Sequence, residues 1–202
     1  MLDVSLRTPY LIEDERERLV SRWLEPHRRY HDLDHLSTVL SALDTLRSAG
    51  TMFDDEAVTL AAWFHDAIYE IGAPDNEERS AVLAEKMLTG RPCATEVARL
   101  VRATADHNIT LADLNASALC DADLSILASD PPQYSKYCAD VRDEYSRFED
   151  SLYCAGRRQI LERLLLHERL FHTEFGHKNW ELRARRNLEA ELQALQPAED
   201  RR

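Results

Sequence analysis

The chain has 202 residues, with 25 Lys and Arg against 37 Asp and Glu, for a formal net charge of -12. That balance excludes a general duplex nucleic-acid surface, which needs a clustered basic face to neutralise phosphates. No positively charged start leads into an apolar segment, and no run approaches the roughly 20 apolar residues of a membrane span, so the reading is a soluble, cytoplasmic protein with no membrane partner.

The 5 Gly and 7 Pro, against abundant Ala, Leu, Glu and Arg, favour helices joined by short loops. No alternating strand pattern of useful length occurs, so the expectation is all-α. No Pro-, Gly- or Ser-rich stretch divides the chain, which reads as one domain over 1–202 with a frayed charged tail at 196–202. Cys93, Cys120, Cys138 and Cys154 are widely spaced, without a Cys-x-x-Cys pair, and read as reduced, packed thiols. A helical bundle is open to homo-oligomerisation through an exposed face, and nothing in the sequence marks that face.

In chain order, a first helix is predicted near 9–25, opened by Thr8 and Pro9, carrying Ile12, Leu19, Val20 and Trp23, and stopped by Pro26. A second, near 33–48, carries Leu36, Val39, Leu40, Leu43 and Leu46. The third starts with Asp54 or Asp55 as its cap, holds Leu60, Phe64 and Ile68, and runs to Gly72, with His65 and Asp66 in its last turns. The fourth begins at Asp75 or Asn76 and runs through Val82, Leu83 and Met87 to Gly90, which suits a left-handed end. A fifth spans 95–107 with Val97, Leu100, Val101 and Thr104 on one stripe leading to His107. Further helices are predicted near 117–129, 132–150, 152–171 and 178–195.

Two His-Asp pairs occur, His31-Asp32 in polar sequence and His65-Asp66 inside an apolar run. A carboxylate in a buried run needs compensation, and a metal ion beside the adjacent imidazole supplies it. Asp121 and Asp123 also break an apolar pattern. Two positions are about 200° apart around a helix, so both cannot face the core. Asp123 shares a stripe with Leu119, Ile126 and Leu127 and is the better ligand; Asp121 shares one with Ser117 and Ser125 and reads as a cap or a support. His31 and His35 share a helix face. His35 leads into Leu36, Val39 and Leu40 and reads as a ligand, His31 as a pocket residue.

The series His35, His65-Asp66 and Asp123 resembles the His…His-Asp…Asp signature of the HD superfamily of metal-dependent phosphohydrolases. The strings Tyr30-His31-Asp32-Leu33-Asp34-His35, Trp63-Phe64-His65-Asp66-Ala67-Ile68-Tyr69, Asp75-Asn76-Glu77-Glu78-Arg79-Ser80-Ala81 and Ala184-Arg185-Arg186-Asn187-Leu188 are similar to a bacterial subgroup of predicted HD phosphohydrolases. The likeness covers about 23–195. It implies an all-α HD fold with His35, His65, Asp66 and Asp123 as ligands. Some HD nucleotidases carry a glutamate four residues after the His of the His-Asp pair, where this chain has Tyr69 and then Glu70. Members with two metals insert further histidines before the last Asp; only His107 lies in that interval here, which favours one metal.

The expected activity is hydrolysis of a nucleotide or other small phosphorylated metabolite by a metal-activated water. One divalent ion is expected: Mn, Fe, Co, Ni or Mg, with Zn also compatible. Asp66 is the candidate proton acceptor as well as a ligand, and Glu77 a candidate general acid or a support for a ligand histidine. His31, Arg28, Asn76, Arg79 and His107 are candidate substrate contacts, with Arg29, Arg102, Lys178 and Arg185 as further cations. Each has a plainer reading: the arginines as a solvated helix face, Asn76 and Glu77 as helix capping, His107 as a satisfied core or helix-end histidine. Two other classes share the same ligands: a non-catalytic module binding a nucleotide or second messenger, and a di-iron HD oxygenase.

Overall fold

The computed structural model describes residues 8–195. The predicted tail at 196–202 lies outside them. Among the described residues the protein is all-helical: α1 Glu13–Trp23, α2 Leu33–Ser48, α3 Asp55–Phe64, α4 Asn76–Met87, α5 Ala94–Ala103, α6 Leu114–Asp123, a 3-10 turn Leu124–Ala128, α7 Pro131–Glu144, α8 Asp150–Leu166, α9 Glu174–Asn179 and α10 Glu181–Ala194. None of these helices is long and apolar enough to cross a membrane. All four cysteines are free thiols.

Helix α3 is the axis of the larger core. Asp54 caps it, accepting from the Ala57 N–H at 3.0 Å, and every side chain from Ala57 to Phe64 is buried. Its alanines and one threonine let α2, α5 and α6 approach closely, and Trp23 of α1 reaches across to donate its indole N–H to the Trp63 carbonyl at 3.1 Å. Burial of these apolar side chains removes far more surface from water than local helix propensity could offset, so packing fixes the arrangement.

A second, smaller core lies among α7, α8, α10 and the 3-10 turn, built on Tyr134, Tyr137, Leu161, Phe171 and Leu188. It is braced by a buried ion pair, Arg157 Nε to Glu191 Oε1 at 2.7 Å, with the Tyr134 hydroxyl on Glu191 and the Tyr137 hydroxyl beside Arg157. Helix α9 approaches α6 so closely that a Cβ on Gly176 would run into the Asp121 carboxylate and Phe171.

The helices differ from the predicted ones mainly at their ends. The first starts at Glu13 rather than near residue 9, since Tyr10 is tied down by its hydroxyl to Asp55 at 2.6 Å and by its carbonyl to Arg91 at 2.6 Å. The third stops at Phe64 instead of running to Gly72. Beyond it the backbone donors are taken by α4 side chains: Ile68 N–H donates to Ser80 Oγ at 3.0 Å and Glu70 N–H to Asn76 Oδ1 at 2.9 Å. The helix predicted at 117–129 is α6 followed by the 3-10 turn, and the one at 178–195 is broken at Trp180. Gly90, with φ of 85°, takes the left-handed conformation its position suggested.

Candidate metal centre

His35 projects from the first turn of α2, which Asp32 caps by accepting from the Asp34 and His35 N–H groups. His65 and Asp66 stand where α3 stops, and Asp123 is the last residue of α6. Three helices packed on one another thus bring His35, His65 and Asp66 together, with donor atoms all within 4.8 Å of one another, and set Asp123 against the two imidazoles. His35 Nε2 and His65 Nε2 are 3.1 Å apart. Asp66 Oδ2 lies 3.6 Å from the first and 3.3 Å from the second, and Asp123 Oδ1 lies 3.2 and 3.6 Å from the same two nitrogens.

These spacings fit a bound cation. Metal–donor bonds of about 2.0–2.2 Å put neighbouring donor atoms about 3–3.5 Å apart. His65 Nδ1–H donates to the Ala62 carbonyl at 2.7 Å, which leaves the Nε2 lone pair of the neutral ring aimed at the second imidazole and two carboxylates. Lone pairs facing one another in a buried place repel unless a positive charge stands between them. Burial disfavours a charged His65, yet Asp66 and Asp123 outweigh it and push its pKa up to about 9. Both carboxyls are themselves held well below the usual range against the opposing effect of burial, Asp66 by His65 and Asp123 by His107 and His35. His35 Nδ1 is buried without a hydrogen-bond partner among the described residues. The donor set of two nitrogens and two oxygens suits Mn, Fe, Co, Ni or Mg, and Zn at lower coordination number.

Asp66 and Asp123 border a cavity of about 580 Å³, within the usual size of a small-molecule site. His31, Asn76, Glu77 and His107 also line it. His107 Nε2 is 3.0 Å from Asp123 Oδ2, and its backbone has φ of 53°, a left-handed conformation costly for a residue with a side chain. Burial, followed by the charges of Asp66 and Asp123, raises the Glu77 carboxyl. Asn76 spends its amide on the turn after Asp66, with Oδ1 accepting from Glu70 N–H and Nδ2 donating to Glu70 O at 3.0 Å.

Arg28 and Arg79 are placed elsewhere. The buried Arg28 guanidinium sits between the Trp23 and Tyr69 rings and donates to the carbonyls of His31 at 2.9 Å and Asp66 at 2.8 Å while pairing with Glu25, so it supports the turn that presents Asp66. Arg79 pairs with Glu70 at 2.9 Å and borders a separate surface hollow. Arg29 pairs with Asp143, Arg102 with Glu78 and Glu85, and Arg185 with Glu181. Asp121 faces away from Asp123, as the rotation argument requires. It accepts from His172 N–H at 2.7 Å, Thr173 N–H at 2.9 Å and Thr173 Oγ1 at 2.6 Å, and so pins the segment leading into α9.

Glu144 escaped the sequence reading. From the end of α7 its buried carboxylate accepts from the Arg29, Tyr30 and His31 N–H groups, from the Tyr69 hydroxyl at 2.7 Å, and pairs with His31 Nδ1 at 2.6 Å. His31, stacked on Tyr69 with ring centroids 4.2 Å apart, is thereby oriented through Nδ1. Burial lowers its pKa, but the Glu144 bond and the charges of Asp66 and Asp123 win, and the net shift is upward. Glu144 was visible as an acidic residue on the apolar stripe Tyr134, Tyr137, Val141, the kind of interruption that marks Asp123.

Compared with protein-family models, with curated proteins and with solved structures, the chain matches none of them.

Proposed function

We propose that the protein is a metal-dependent phosphohydrolase acting on a small phosphate ester, as its resemblance to HD phosphohydrolases implies. The observation that carries this reading is the convergence of His35, His65 and Asp66 at the border of a ligand-sized cavity, with Asp123 3.2 and 3.6 Å from the two imidazoles. Those four residues would hold one divalent ion. Such an ion lowers the pKa of a water and offsets charge on a phosphoryl group.

The chain's own groups account for the remaining steps. Water adds to phosphorus, the P–O bond to the organic alcohol breaks, and the products are inorganic phosphate and that alcohol. Asp66 accepts the proton leaving the water. The alcohol oxygen needs a proton in return, and two groups on the cavity wall are donors: Glu77 and His31. The geometry favours His31, because Glu144 engages Nδ1 and leaves Nε2 for the cavity. Glu144 acts through His31 and is a positioning residue.

The test is phosphate release from a panel of phosphate esters with manganese, cobalt, nickel or magnesium supplied, comparing the wild type with Asp66→Ala. The expected result is release by the wild type that a chelator stops, and at least about a hundredfold loss in the variant, more than the loss typical of groups that only support a ligand. A wild type that binds metal tightly but turns over none of the panel would instead favour a module that binds its ligand without reaction.

A further inference from the structure

The cavity has two ends of opposite chemistry. Asp66, Glu77, His107 and Asp123 gather at one end. Tyr30 and Tyr69 stand beside that end, packed on His35 and His31, and the remaining walls carry the rings of Tyr137, Tyr145, Phe148 and Tyr153 with aliphatic side chains. Some polar groups on these walls are engaged already, the Tyr69 hydroxyl with Glu144, Arg157 with Glu191, and Thr104 Oγ1 with the Val101 carbonyl at 2.8 Å, which leaves, among the described residues, the Tyr30 and Tyr153 hydroxyls and Arg163 as the free ones. A sugar entering here would find only these few partners, and each further hydroxyl would lose its bonds to water. A flat ring would lose none and would meet ring faces and edges.

The shape agrees with the chemistry. Leu152, Gly156, Ile160 and Leu164 fall on one stripe of α8 and all border the cavity. Gly156 is exposed and a Cβ added there meets nothing within 4 Å, so the wall opens to solvent at that position. Glycine inside a helix lowers its stability by about 0.5–1 kcal/mol relative to alanine, and no backbone conformation requires it at this position.

We propose that the cavity receives the aromatic body of a phosphate ester of a ring-bearing alcohol, seated against Gly156 of α8, with the phosphate at the Asp66 and Asp123 end. The placement of the phosphate rests on the phosphohydrolase reading. The seat for the ring does not, and it can be measured without turnover.

The experiment has two arms on the full chain. Calorimetry measures binding of 2-naphthol to the wild type, to Gly156→Phe, which puts a ring into the open space at that wall, and to Ile160→Asp, which places a charge on the apolar wall at an exposed position that takes no part in either core. Phosphate release, with manganese supplied, compares 2-naphthyl phosphate with glucose 6-phosphate. The expected results are naphthol binding weakened about tenfold or more by each variant, the scale on which a filled apolar pocket discriminates, and preference for the naphthyl ester. Failure of the wild type to bind naphthol, binding by both variants as tight as the wild type's, or preference for the sugar ester overturns the inference. Naphthol binding that both variants weaken, with neither ester hydrolysed, supports the ring seat and removes the phosphohydrolase reading; release from glucose 6-phosphate without naphthol binding does the reverse.

Discussion

Of the ten residues in α3, eight are buried, whereas of the seventeen in α8 only Arg157 and Leu161 are. The first helix delivers His65 and Asp66 to the candidate metal centre; the second forms a wall of the cavity beside it. Ligands must keep their spacing to within a few tenths of an ångström, and a helix clamped on all sides by close-packed neighbours supplies that. A cavity wall must leave volume open, which a helix can do only by packing less. Close packing at the centre and sparse packing along the wall are therefore two requirements met by two separate cores.

The contrast breaks most visibly at its strongest points. Trp63→Ala, in the middle of α3, is expected to lower stability by about 3–5 kcal/mol in urea or thermal unfolding. Glu191→Ala is expected to cost about as much, because it strands the buried Arg157 guanidinium. The remedies differ. Replacing both partners, Arg157→Met with Glu191→Leu, should recover most of the loss, since a buried ion pair contributes little more than apolar residues of similar volume. No second substitution should rescue Trp63→Ala to the same extent. Full recovery at both places would erase the distinction between a core held by packing and one held by paired polar groups.

Acid sharpens the same comparison at intermediate size. Burial works to raise the Glu144 carboxyl, but its bonds to His31, the Arg29 N–H and the Tyr69 hydroxyl bring it down to about 2; Glu191 is lowered too, burial being outweighed by Arg157 and Tyr134. A carboxyl whose folded pKa lies below its unfolded value of about 4.3 adds stability above that pH, and the contribution is lost as pH falls through the folded pKa. Stability should therefore decline from about pH 4.3 toward pH 2, by on the order of 2 kcal/mol from Glu144. In Glu144→Gln that part of the acid limb should flatten, as read from urea midpoints across the window. An unchanged acid profile would mean that the turn bearing His31 does not depend on this carboxylate.

How much of this was legible follows from where the signals were local. Helical periodicity and the scarcity of glycine and proline pointed to an all-α chain, and the second helix falls at the predicted 33–48. His35, Asp66 and Asp123 stood out because each is a polar residue among apolar neighbours, and His35 Nε2 lies 3.6 Å from Asp66 and 3.2 Å from Asp123. The end of α3 was not legible: nothing within 55–72 says that Ser80 and Asn76 of another helix will capture its backbone donors. The arginines were ranked by nearness in sequence to a motif, whereas their pairing is set by which acid faces them in the fold, as Glu25 faces Arg28 and Glu70 faces Arg79. Glu144 was legible and unread, since its stripe on α7 carries the same mark as that of Asp123.

The smallest expected effect is the most discriminating for the cavity wall. Ile160 of α8 has the chemistry of a core residue and would lose the same kind of apolar volume as Leu60 of α3 when cut to alanine. Leu60 is fully buried, and its loss leaves a hole that close-packed neighbours cannot fill, for about 2–5 kcal/mol. Ile160 is 42% exposed and borders space that is already open, so removing its outer carbons creates no new cavity. Ile160→Ala should thus stay within about 0.5 kcal/mol of the wild type in the same unfolding assay. A loss above about 2 kcal/mol would show that α8 is packed against the walls across from it, leaving too little volume for a ring.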